Sequence, residues 1–135
     1  GDVAGEVAAE LLARADAALA AGIEASRIVL DPGIGFAKDA TQNWAVLADL
    51  PRLVASGYRV LVGTSRKKFL GTLLGETDDP ARRDLATAVT SVLAAREGAW
   101  AVRVHDVEST RIALDVAGAW QSGARVDDPE EHPNG

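Results

Sequence analysis

The segment Arg27-Ile28-Val29-Leu30-Asp31-Pro32-Gly33-Ile34-Gly35-Phe36-Ala37-Lys38 passes from an unbroken apolar run to a glycine-rich loop. A short apolar run ending in an acid, Arg27 to Asp31, is the pattern of a buried strand. The loop that follows, Pro32 to Lys38, sits where α/β proteins gather their ligands, beyond the C-terminal end of a strand. The pattern returns twice. Tyr58 to Val62 reads as a second strand giving way to Gly63-Thr64-Ser65-Arg66-Lys67-Lys68, and Trp100 to Val104 as a third leading into His105 and Asp106.

The segments between have helical period. In residues 2–21, Val3, Val7, Leu11, Leu12, Ala15 and Leu19 recur on one face, and Gly22 is placed to end the helix. Trp44, Leu47, Leu50, Leu53 and Val54 predict a second helix, restarted at Pro51. A short helix to about Gly71 and a polar loop, Gly75 to Pro80, come next. Pro80, preceded by Asp79, suits a helix start. That helix shows a stripe of Leu85, Ala88, Val89, Val92, Leu93 and Arg96. Asp106 can cap a last helix with Ile112, Val116 and Trp120 on its inner face. Strands alternating with helices predict a parallel sheet with right-handed crossovers.

The 135 residues suffice for one domain but fall short of a complete eight-stranded barrel, which needs about 250. Hydrophobic residues make up 47%, so a packed fold is expected rather than disorder. The longest apolar runs, such as Ala17 to Ala21, are too short to span a bilayer, and no basic, apolar leader opens the chain. These features predict a soluble, cytoplasmic protein. There is no methionine, and a chain that opens at Gly1 suggests an internal start, a processed end or a tag remnant. Without cysteine it can hold no disulfide and no thiolate nucleophile or ligand. A net charge of −6 argues against nucleic acid or an anionic membrane as partner. From Ser122 the chain turns polar, and residues 122–135 read as a loose tail outside the domain of residues 1–121.

Within this acidic chain the cations are concentrated. All three lysines, Lys38, Lys67 and Lys68, lie in two of the strand-end loops, and Arg103 and His105 mark the third strand end. Residues two apart in a strand point to one side. Together with Asp31, the set suggests an anionic small ligand and an acid that binds donors. Plainer roles exist for each residue. Asp31 could cap a turn before Pro32, Lys67 could be a solvated lysine at a helix start, and His105 could bond Asp106. GIGFAK is no dinucleotide fingerprint, because Lys38 holds the third glycine position. The Gly63 segment lacks phosphate-loop spacing. The two histidines, His105 and His132, lack metal-ligand spacing.

The segments Asp31-Pro32-Gly33-Ile34-Gly35-Phe36-Ala37-Lys38, Gly63-Thr64-Ser65-Arg66-Lys67 and Arg103-Val104-His105-Asp106-Val107 resemble the three C-terminal signature segments of dihydropteroate synthases. They occur in that family's order, and the similarity runs from about residue 1 to residue 120. Other pterin-binding barrels, such as methyltetrahydrofolate-dependent methyltransferase domains, share the fold but are not expected to combine the second and third segments. The resemblance implies an α/β fold, the C-terminal part of a (β/α)8 TIM barrel with about three parallel strands and flanking helices.

The resemblance also implies a reaction. A dihydropterin methyl diphosphate loses diphosphate, and the amine of p-aminobenzoate takes its place. Asp31 then binds the pterin, its two acceptor oxygens matching paired ring N–H donors. Lys67 reaches the same ring while its stem covers the p-aminobenzoate site. Gly63 and Phe36 belong to the pterin site, and Phe36 also walls p-aminobenzoate. Ser65 and Lys68, near a helix N-terminus, attend the p-aminobenzoate carboxylate. Arg103 and His105 hold the diphosphate. The family's Mg²⁺ would take its ligand from an N-terminal part absent from these residues. On this basis the chain alone is expected to be inactive. The competing expectation is a non-catalytic half-barrel that self-associates and binds pterin or phosphate only. Three strands cut from a barrel leave open edges, and an inner sheet face, including Val29, Val60 and Val102 or their neighbours, that predict a homodimer or higher assembly.

Overall fold

A computed structural model describes residues 2–36, 38–75 and 79–123. Its elements are α1 (Val3–Ala20), β1 (Val29–Leu30), α2 (Ala40–Ala48), α3 (Leu50–Val54), β2 (Arg59–Val62), α4 (Lys68–Leu73), α5 (Pro80–Arg96), β3 (Ala101–Val102) and α6 (Val107–Ser122). Aspartates open most of the helices. Asp2, Asp39, Asp79 and Asp106 each accept a backbone N–H of the first turn, and Asp39 forms a reciprocal capping box with Gln42. The expected restart at Pro51 is real: Asp49 closes α2, and Pro51 stands in the first turn of the separate α3.

The strands form one parallel sheet in the order β1-β2-β3. Val29 pairs with Arg59 and Leu30 with Val60; Leu61 pairs with Ala101 and Val62 with Val102. The regular strands are shorter than the apolar runs suggested. Arg27 is drawn into a 3-10 turn, Ala25–Arg27, and β1 keeps only two residues. Around β3 the ladder reaches further than the strand, since Trp100 N donates to Val60 O and Arg103 N to Val62 O.

The register assigns the two sheet faces. Leu30, Val60 and Val62 are buried and join Ala8, Ala15, Leu50, Leu53 and Ala94 beneath the helices. Val29, Arg59, Leu61 and Ala101 occupy the opposite face. This corrects the expected inner face. Val29 belongs to it, but Val60 is core on the helix side, and Val102 shares the side of Val62. A second cluster of Ile34, Val46, Phe69 and Leu70 lies under the glycine-rich loop, with the Trp44 and Phe69 rings edge to face at 4.9 Å between centroids.

Two helix faces also differ from expectation. On α5 Ala88 is buried, but Leu85 is 69% exposed, and Val89 and Leu93 also face outward. Thr87, Thr90, Ser91 and Ala94 turn inward instead. These hydroxyls can be buried because each donates to a helix carbonyl: Thr87 to Arg83, Thr90 and Ser91 to Thr87. On α6, Ile112, Val116 and Trp120 do not form an inner face. Trp120 is 82% exposed, while Thr110 is the buried position and the helix leans on α5. Part of the polar loop (76–78) and most of the tail (124–135) lie outside the described residues, whereas Ser122 ends α6 and Gly123 caps it in the left-handed region at φ +62°.

Candidate functional site

At the C-terminal end of β1 the chain turns sharply through Asp31, Pro32 and Gly33. Asp31 Oδ1 accepts the Gly33 N–H at 2.9 Å, so the local cap expected as the plain alternative does exist. It leaves Oδ2 uncommitted to the turn, and that oxygen faces Arg103 Nη2 at 3.7 Å. The acid therefore does both: it shapes the loop and meets a cation from the third strand end.

The glycine-rich loop is held from within by lysines. Lys38 Nζ donates to Gly33 O at 2.8 Å and to Phe36 O at 3.2 Å, and Lys67 Nζ donates to Ile34 O. Lys67 also lies over the Phe36 ring, 5.0 Å from its centroid. Its stem runs so close to Gly35 that a Cβ there would stand 2.7 Å from Lys67 Cδ, and Gly35 adopts φ +86°. Only glycine meets both conditions. Burial, the largest influence, pulls the Lys67 ammonium below the ordinary lysine value; Asp31 opposes this, and Arg103 and Lys38 add to it. Lys67, Asp31, Arg103 and Lys38 thus share one electrostatic neighbourhood.

Arg103 crosses the end of β2. A Cβ on Gly63 would come within 3.0 Å of Arg103 Nη2, so the buried glycine makes the room for the guanidinium. His105 sits next to Ser65, whose Oγ accepts the His105 N–H at 3.0 Å and lies 2.7 Å from Nδ1. The partner expected as the plain alternative, Asp106, is instead occupied as the cap of α6, accepting from Ser109 N and Oγ. Those two bonds hold its carboxyl below the ordinary aspartate value.

A cleft of about 530 Å³ brings together Phe36, Lys38, Lys67 and Lys68 with Asn43 and Phe69. Phe36 is 65% exposed at its rim. Ser65, expected with Lys68 near the start of α4, is not among its lining residues; it is 7% exposed and turned to His105. A separate, more apolar hollow of about 300 Å³ between α2, α3 and α5 contains none of the expected site residues.

Three supports escaped the sequence reading. Asn43 of α2 is 2% exposed; its Oδ1 accepts Gly35 N–H at 2.8 Å and its Nδ2 donates to Lys38 O at 3.5 Å, pinning the loop at both ends. A signal existed, since Asn43, Val46, Leu47 and Leu50 keep helical spacing, so an amide stands in the buried stripe. Thr64 Oγ1 meets Thr90 Oγ1 at 2.7 Å in the core. Arg66 adopts φ +56° and is anchored to Asp84 by two bonds of 2.8 and 2.9 Å, while its N–H reaches Thr87 Oγ1. Thr64 and Arg66 bracket Ser65 and precede Lys67, so α5 holds the second loop by its polar face.

Comparison with known proteins agrees with this fold. The family model described as pterin binding enzyme matches residues 1–105. A dihydropteroate synthase of Mycobacterium leprae (strain TN) is 54% identical over 123 residues, covering 88% of this chain and 43% of that protein. One of Neisseria meningitidis serogroup C is 48% identical over 122 residues, covering 90% of this chain and 42% of that protein. Among solved structures, the dihydropteroate synthase of Xanthomonas albilineans with 4-aminobenzoic acid superposes with a TM-score of 0.87 at 43% identity, over 92% of this chain and 47% of that one. The same enzyme in complex with 7,8-dihydropteroate gives 0.83 at 42% identity, over 94% of this chain and 48% of that one. The chain spans about half the length of the relatives it matches. On its motifs, its three parallel strands and these matches, the chain belongs to the pterin-binding enzyme family.

Proposed function

We propose that this chain supplies the C-terminal half of a dihydropteroate synthase active site. The observation that carries the reading is the approach of Asp31 to Arg103 across two strand ends, 3.7 Å apart, with Lys67 in the same electrostatic neighbourhood. A pterin methyl diphosphate needs an acceptor for its ring N–H groups and a cation for its leaving group at a short separation. Asp31 takes the ring, Lys67 the ring's polar edge, and Gly63 and Phe36 complete the pterin site. Arg103, with its planar fork, and His105 take the diphosphate. Phe36, Lys67 and Lys68 line the p-aminobenzoate side. Ser65, expected there, serves better as the support of His105. The 4-aminobenzoic acid and 7,8-dihydropteroate complexes of the Xanthomonas enzyme support both substrate assignments.

In the reaction the methylene C–O bond to diphosphate breaks and a C–N bond to the p-aminobenzoate amine forms. The electron pair leaves with diphosphate, and the amine loses a proton to solvent or to the departing anion. Stabilising that anion is the main contribution of Arg103 and His105. The Mg²⁺ implied by the family would take its protein ligand from an N-terminal part outside these residues. No group of three or more His, Cys, Asp or Glu side chains that could hold a metal occurs among the described residues.

A second reading is a half-barrel that self-associates and binds pterin or phosphate without turnover. A turnover assay of the chain with and without the N-terminal half of a related synthase separates the two. Dihydropteroate formed only by the combination supports the proposal; pterin and diphosphate binding with no turnover in either leaves the half-barrel reading. In the same assay Asp31→Asn weakens pterin binding by roughly 2 kcal/mol, because a donor then faces ring donors. Unchanged affinity removes Asp31 from the site. The outward apolar residues of α5 and α6, Leu85, Val89, Leu93, Ile112, Val116 and Trp120, support self-association as a homodimer or higher assembly. No helix among the described residues is long and apolar enough to cross a membrane. We propose a cytoplasmic location, a reading supported by the similarity to dihydropteroate synthases.

A further inference from the structure

We propose that Ser65 is a positioning residue that fixes the ring tautomer of His105, leaving the proton on Nε2 so that the imidazole offers an N–H donor at the third strand end. The inference rests on the reading of His105 as a diphosphate ligand for its purpose, but not for its geometry. Ser65 Oγ has one proton to give and lone pairs to accept with. It accepts the His105 backbone N–H at 3.0 Å. Its own proton needs an acceptor, because the residue is buried, 7% exposed. Among the described residues the remaining bonded partner is His105 Nδ1, at 2.7 Å. Were Nδ1 the protonated nitrogen, two donors would converge on Oγ and the buried hydroxyl proton would be left without an acceptor. Nδ1 is therefore the acceptor, and in the neutral ring the proton sits on Nε2. The backbone that carries Ser65 is held on either side. Its neighbours on both sides are tied to α5, Thr64 by its hydroxyl pair with Thr90 and Arg66 by its two bonds to Asp84.

The chain has two histidines, so His132→Gln leaves one ring to observe. The expected nitrogen-15 spectrum of the neutral ring shows a protonated Nε2 and an unprotonated Nδ1 displaced by an accepted hydrogen bond. Ser65→Ala removes that displacement, and Ser65→Thr restores it. In titrations with inorganic diphosphate, Ser65→Ala weakens binding about tenfold, the scale of one oriented hydrogen bond, and Ser65→Thr binds as the parent. A ring protonated on Nδ1, or one whose two nitrogens average, overturns the proposal whatever the titrations give. Weakening by His105→Ala with none by Ser65→Ala overturns it as well. If the spectrum is as expected and neither variant changes diphosphate binding, the tautomer assignment stands and the diphosphate role of His105 falls.

Discussion

Substituting Gly63 by alanine separates the two things a glycine beside a cation can do. The three atoms nearest the added Cβ all belong to Arg103, Nη2 at 3.0 Å and Cζ and Nε at 3.5 Å. The φ of Gly63 lies outside the left-handed region, so the backbone accepts an L residue without strain. Stability should hold or rise, because alanine restricts the unfolded chain, an effect of about 0.4–1 kcal/mol. The guanidinium is the flexible and exposed end of its side chain, so it yields by a few tenths of an ångström rather than the backbone. A charge-assisted contact is worth about 1.5–3 kcal/mol, and displacing it should forfeit roughly half, near a tenfold loss in diphosphate affinity. Urea unfolding and calorimetric titration with diphosphate, run on parent, Gly63→Ala and Arg103→Ala, make the comparison. Loss of more than about 2 kcal/mol of stability would show that the backbone, and not the guanidinium, gives way. Unchanged diphosphate affinity in Gly63→Ala beside a clear loss in Arg103→Ala would refute the claim that Arg103 holds its ligand where it now lies.

Gly35→Ala should behave in the opposite way, losing about 1–2 kcal/mol to the left-handed φ and more to the collision with Lys67; urea unfolding measures it, and parental stability would mean the loop simply refolds around alanine. Asn43→Leu leaves the Gly35 N–H without its acceptor and should cost about 1–3 kcal/mol in thermal unfolding, with weaker pterin binding because the same loop carries the Lys67 contacts. Lys67 is held below its unfolded value of 10.5, so between its lowered folded value and 10.5 the unfolded chain binds the extra proton. Stability of the parent relative to Lys67→Met should then rise as pH climbs toward 10.5, and a falling difference would reverse the sign of the burial effect. Trp120→Glu on the exposed arc of α6 should lower the mass measured by light scattering at micromolar concentration; a parent already monomeric removes the self-association reading.

The three strand ends were legible because each is announced locally. An apolar run ends, a glycine or acid follows, and the unusual polar residues appear in the next few positions, as at Asp31, Gly63 and Arg103. Helix starts were legible for the same reason, since Asp79 and Asp106 act within one turn of themselves. What stayed hidden depends on partners distant in sequence. Nothing near Ser65 tells that its hydroxyl is committed to a ring forty residues later. The inward face of α5 was misread because apolar spacing favoured Leu85 and Val89, whereas Thr87, Thr90 and Ser91 satisfy their hydroxyls on the helix itself and then tolerate burial. Val60 and Val102 were expected with Val29 on the inner face of the sheet, since short apolar runs give no sign of which side each residue takes. The pairing of Leu30 with Val60 puts the two on one side, and their burial with Ala8, Leu50 and Leu53 shows that the helices cover it.

The contact between Asp31 and Arg103 pairs the acid of the site with one of its cations, and that changes what can enter it. Under the proposed roles a ligand must come between the two and replace each as the other's counterpart. Free diphosphate would satisfy Arg103 while stranding the carboxylate, and a pterin without its diphosphate would satisfy Asp31 while stranding the guanidinium. A molecule that brings ring donors and an anion together strands neither. Under those proposed roles the pair would act as a coincidence gate, admitting most readily the one ligand that carries both halves.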